Sequence, residues 1–111
     1  MPESEQRRET FRVGFDQPVV VRRRAGTALS ARLRDLSVEG ARLMGDLELR
    51  LGEPLSLAFS LDGDELELAG RVVRVGDVGA GLHFDGLRPA DETRIARFLI
   101  EQQRRRGRPR A

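Results

Sequence analysis

From Leu55 to Leu61 the chain alternates a large apolar residue with a small one: Leu55, Leu57, Phe59 and Leu61 against Ser56, Ala58 and Ser60. A period of two places the large residues on one face of a strand. Asp62-Gly63 follows, a pair suited to the left-handed backbone of a two-residue hairpin turn. The return strand, Glu65 to Val75, begins with its apolar residues at even positions (Leu66, Leu68) and ends with them at odd ones (Val73, Val75). That change of phase predicts one extra residue, a β-bulge, near Gly70. Upstream, Thr27 to Leu36 sets Leu29, Ala31 and Leu33 against Ser30, Arg32 and Arg34. Before it, Val19-Val20-Val21 opens a β-branched run that stops at an Ala25-Gly26 turn, and Gly14 and Pro18 are expected to interrupt regular structure ahead of Val19. Short strands are predicted from Ala41 to Met44 and from Gly79 to Phe84.

The pattern changes after Pro89, a residue whose missing N–H costs nothing in the first turn of a helix. Asp91 and Glu92 fall in that turn and arginines gather at the far end, both favourable to the helix dipole. Ile95, Phe98, Leu99 and Gln102 share one side, and Gly107 and Pro109 end the segment. Strands at this spacing with one terminal helix predict a mostly β fold, a small antiparallel six-stranded β-barrel with one C-terminal α-helix. The expected organisation is a flexible N-terminal arm over residues 1–11, a barrel domain with its helix over 12–103 and a disordered basic tail over 104–111.

Composition narrows the function classes. The 111 residues suffice for one core, and the hydrophobic share of 39% beside 34% charged residues is that of a folded domain. Cysteine is absent and there is one histidine, His83, so thiolate metal sites and disulfides are excluded and a metal centre is not expected. No apolar run approaches the roughly 20 residues of a membrane-spanning helix, and residues 1–10 lack the apolar stretch of a signal peptide, so a soluble cytoplasmic protein is expected. All twenty basic residues are arginine, which a GC-rich genome explains more simply than selection. The net charge of +2 conceals a slightly acidic body and a basic end, where Arg104, Arg105, Arg106, Arg108 and Arg110 face only Glu101.

Two short motifs carry chemistry. Arg8-Glu9-Thr10-Phe11-Arg12 is an R-x-x-x-R cluster preceded by Arg7, and Asp35-Leu36-Ser37-Val38-Glu39-Gly40 is a D-x-S-x-x-G turn. Guanidinium groups grip phosphate oxygens in pairs, stack on a purine face or donate to the O6 and N7 acceptors of guanine. A carboxylate accepts from guanine's amine-bearing edge, and a hydroxyl donates to phosphate. Each motif alone is also what a solvated arm or an ordinary β-turn looks like.

In pairing and order these motifs resemble those of the PilZ family, whose members bind the bacterial second messenger cyclic di-GMP. The resemblance covers roughly residues 7–102 and implies the same barrel. It implies that Arg8 and Arg12 are paired ligand-binding arginines and that Asp35 receives a guanine. It also implies that Ser37 touches a phosphate or a base, and that Gly40 lets the backbone approach closely. Arg7 is associated in the family with a second, intercalated ligand molecule. Gly81, in Gly79-Ala80-Gly81-Leu82-His83-Phe84, resembles the small residue of the strand beside the ligand pocket.

The reading is a non-enzymatic cyclic di-GMP receptor that closes its arginine arm over the ligand and signals through an unidentified effector protein. No cofactor, catalytic residue or membrane insertion is expected. A Ser37–His83–Asp35 triad is excluded because Asp35 and Ser37 share one turn and nothing supplies an oxyanion hole. The alternatives are a small basic β-barrel that binds nucleic acid and a PilZ-like adaptor without a ligand. The five aromatic residues are all phenylalanine and none interleaves the basic runs, which disfavours nucleic acid. An adaptor of the family usually loses one of the motifs that this chain keeps.

Overall fold

The computed structural model describes residues 13–107. Six strands, β1 (Val13–Arg23), β2 (Ala28–Leu36), β3 (Gly40–Met44), β4 (Pro54–Leu61), β5 (Asp64–Val75) and β6 (Gly79–Phe84), precede one helix, α1 (Pro89–Gly107). The strands close into a barrel in the order β1-β2-β3-β6-β5-β4, and every neighbouring pair is antiparallel. Closure gives each of the six strands two neighbours, with β1 joined to β4 over Val20–Arg23. The mostly β barrel with a terminal helix is therefore the fold of this chain.

The alternation works as its period requires. Leu55, Leu57, Phe59 and Leu61 all point inward, and across the hairpin Leu57 faces Leu68 while Phe59 faces Leu66. Asp62 and Gly63 adopt φ of 51° and 86°, the paired left-handed residues that let a two-residue turn match the strand twist. Val21, Leu33, Leu36, Leu43 and Val72 complete the interior; each such side chain, fully buried, is worth about 1.5–3 kcal/mol. Ile95, Phe98 and Leu99 of α1 join the same core, with the helix packed on β1 and β4.

Four local expectations are corrected. β1 begins at Val13, not after Pro18. Pro18 is tolerated because β1 pairs with β4 only from Val20 to Arg23, so its missing N–H faces an open side of the ladder. The bulge in β5 lies between Val72 and Arg74, not near Gly70. Leu66, Leu68, Gly70 and Val72 all face inward, while Val73 and Val75 are exposed. Asp35 is the penultimate residue of strand β2 and not part of the turn, which comprises only the residues between Leu36 and Gly40. Finally, α1 continues to Gly107, so the first four residues of the expected 104–111 tail are helical.

The 45–53 connection is clasped to the barrel by Glu53. Its carboxylate receives Arg23 Nε at 2.6 Å and Nη2 at 3.1 Å, and the Arg50 amide at 3.1 Å. The hydrogen bond from Arg23, reinforced by the Arg50 amide and the charges of both arginines, holds this carboxyl below its ordinary value against a partial desolvation.

Candidate functional site

The segment between β2 and β3 is wound around one hydroxyl. Ser37 is completely buried; its Oγ accepts from the Glu39 amide at 3.1 Å and the Gly40 amide at 3.2 Å. The Ser37 amide in turn donates to the Gly40 carbonyl at 2.9 Å. Serine side chains commonly close turns in this way. The Ser37 hydroxyl thus helps to close the turn that follows Asp35. Gly40 is required by the opposite strand: a Cβ there would collide with the Leu82 carbonyl oxygen. The end of the turn is tied to β6 by the Phe84 amide, which donates to the Glu39 carbonyl at 2.8 Å.

Asp35 emerges on the outside of the barrel. Its side chain is 18% exposed, and Arg42 Nη2 stands 3.4 Å from Oδ2. Strand register continues the row: Asp35 faces Arg42 across β2–β3, Arg42 faces Gly81 across β3–β6, and Gly81 faces Arg74 across β6–β5. Adjacent strands lie about 4.8 Å apart, so Asp35 and Arg74 are roughly 14 Å apart at opposite ends of the row. Gly81 is its floor, a half-exposed stretch of bare backbone between two guanidinium-bearing strands. In the next row His83, exposed, lies between Gly40 and Arg71; Arg71 is engaged with Asp85 at 2.9 Å.

Of the residues expected to bind, the fold brings Asp35, Gly40 and Gly81 to neighbouring positions of β2, β3 and β6. Arg7, Arg8 and Arg12 lie outside the described residues. Arg42 and Arg74 were not singled out from the sequence, where neither differs from the other arginines; a strict count of two residues outward from Gly40 would have found Arg42. Among the described residues no group of three or more potential ligands is placed to hold a metal ion, and no helix is long and apolar enough to cross a membrane.

The described residues thus form a closed six-stranded barrel with a filled interior, a helix packed on β1 and β4 and a polar row on the outer wall. The PilZ domain profile matches residues 6–101, and the chain belongs to that family. No curated protein matches the sequence. Among solved structures, the PilZ domain of CeSA from a cellulose-synthesizing bacterium superposes with a TM-score of 0.70 at 24% identity, over 83% of this chain and 97% of that one. The Bacillus subtilis inhibitor of motility MotI/DgrA gives 0.80 at 18% identity, over 93% and 54%. Escherichia coli YcgR, solved in complex with c-di-GMP, gives 0.74 at 19% identity, over 90% and 47%. The chain thus spans nearly all of the CeSA PilZ domain and about half of each of the other two chains.

Proposed function

We propose that the protein is a cyclic di-GMP receptor of the cytoplasm, a binding module without catalytic activity. The observation that carries this reading is the outward placement of Asp35 beside the Ser37–Gly40 turn and the bare backbone of Gly81, in a chain of the PilZ family. Asp35 accepts from the amine-bearing edge of one guanine, and the ligand lies over Gly81, where a larger side chain would collide with a base. Gly40 brings β3 close to β6 at this point, and Ser37, which closes the turn, touches a phosphate or a base of the ligand. Arg8 and Arg12 supply forks for the O6 and N7 edge of guanine and for phosphate, and Arg7 supports a second, intercalated ligand molecule. The c-di-GMP complex of YcgR supports the choice of ligand. Ordering of the arginine-bearing arm on the ligand then presents an altered surface to an effector protein.

Calorimetric titration with cyclic di-GMP and cyclic di-AMP tests the reading. Adenine presents N7 beside an N6 donor instead of a second acceptor, so binding is expected for the first ligand and much weaker binding for the second. Equal affinities would remove the guanine assignment. Arg8→Ala, Arg12→Ala and Asp35→Ala should each abolish detectable binding, and Arg7→Ala should lower the stoichiometry from two to one.

A further inference from the structure

Two β-bulges reverse the phase of their strands at a charged residue. In β2, Ala31 and Leu33 face inward, and strict alternation would carry Asp35 into the core. A register shift between Leu33 and Asp35 instead puts Asp35 outside and Leu36 inside. In β5, Leu66, Leu68, Gly70 and Val72 face inward, and alternation would carry Arg74 in after them. The shift between Val72 and Arg74 turns Arg74 outward, opposite Gly81. Bulges re-aim side chains in this manner and concentrate beside functional sites. Here two of them, on strands that flank the β3–β6 pair, deliver an acid and a base to the two ends of one row.

Arg74 is also idle in the fold. Among the described residues it has no ion pair, whereas Arg42 and Arg71 on the same face hold Asp35 and Asp85. A Cβ added to Gly81 would stand 3.4 Å from the Arg74 Cβ, so the arginine stem rises directly beside the bare strand.

We propose that Arg74 is a ligand-contacting residue of this site, a guanidinium opposite Asp35 that donates to a phosphodiester oxygen or to the acceptor edge of the guanine farther from Asp35. The inference rests on the cyclic di-GMP reading and adds to it a cation supplied by the barrel wall itself. Phosphate and the O6/N7 edge of guanine both accept from a guanidinium fork, and lysine separates them because it keeps the charge without the fork.

The test is calorimetric titration of the full chain with cyclic di-GMP, for the wild type, Arg74→Ala, Arg74→Lys and Arg97→Ala. Arg97 is an exposed arginine of α1 and controls for loss of one positive charge. Thermal melting of each variant checks that the fold is retained. Arg74→Ala is expected to weaken binding about tenfold or more, with Arg97→Ala within about twofold of wild type; a tenfold change is 1.4 kcal/mol. With that loss, Arg74→Lys near wild type assigns the contact to phosphate, and Arg74→Lys as weak as alanine assigns it to guanine. Wild-type affinity in Arg74→Ala, or equal losses in Arg74→Ala and Arg97→Ala, would overturn the proposal while leaving the receptor reading intact. A wild-type protein that does not bind at all overturns both.

Discussion

A methyl group at Gly40 would run into the backbone of β6, at the Leu82 carbonyl, whereas one at Gly81 would meet nothing closer than the Arg74 Cβ at 3.4 Å. The two glycines therefore answer substitution differently. Gly40→Ala is expected to destabilise the protein by about 1–3 kcal/mol, the usual cost of forcing apart packed backbone, read as a lower melting temperature. Gly81→Ala should melt like the wild type, and Gly81→Leu should keep the fold but lose cyclic di-GMP in a titration. A Gly81→Leu protein that binds normally would place the ligand elsewhere. The sequence offers Asp35 and Gly40 as candidates through the D-x-S-x-x-G motif and Gly81 through the glycines of the 79–84 stretch, and the fold places the three on neighbouring strands. Arg42 and Arg74 were not legible there, since one more arginine among twenty carries no signal until strand register shows what it faces. That the Ser37 Oγ also accepts from the Glu39 and Gly40 amides depends on backbone geometry that spacing does not encode.

At the scale of elements, strands with full alternation were readable and strands with a bulge were displaced. The even-to-odd change in β5 reads as a bulge near Gly70 because glycine is silent in a hydrophobic pattern. In the barrel Gly70 occupies an inward position opposite Leu55, where a Cβ would come within 2.7 Å of the His83 carbonyl oxygen. Val73 and Val75 then misled, since an exposed valine on a strand reads the same as a buried one. The clasp at Glu53 was also invisible, because its partner Arg23 is 30 residues away. It yields a prediction with a definite sign. A carboxyl whose folded value is depressed stabilises the fold above its unfolded value, about 4.3 for glutamate, and that contribution disappears as pH falls through the folded value. Denaturation followed from pH 6 to pH 2 should show a shallower acid loss for Glu53→Gln than for the wild type. Parallel curves would mean that the clasp does not couple to unfolding.

For the whole molecule, the six-stranded antiparallel barrel, the single terminal helix and the family followed from the sequence, because turn chemistry and motif order survive small errors of register, whereas the order of the strands around the barrel did not. Nor did the extent of the basic end. Arg104 and Arg105 continue α1, with Arg105 Nε 3.7 Å from Glu101 one turn earlier, since arginine propagates a helix well and only Gly107 interrupts it. Removing residues 108–111 should leave cyclic di-GMP affinity within about twofold, because the row of Asp35, Arg42, Gly81 and Arg74 belongs to strands, not to the helix end. A large loss accompanied by a steep salt dependence would instead indicate a longer polyanion as the natural ligand.

The filled interior and the outward row also separate two kinds of selection. Leu33, Leu43 and Leu57 are buried in the core and answer to folding, whereas Arg74 and Gly81 lie on the wall, where under the proposed reading they answer to the ligand. A descendant of this chain could therefore exchange its wall residues one at a time without passing through an unfolded intermediate, shedding one ligand and acquiring another. Gly40 marks where that freedom stops. It belongs to the motif on the wall and to the contact between β3 and β6, so it should persist even where the proposed ligand is lost.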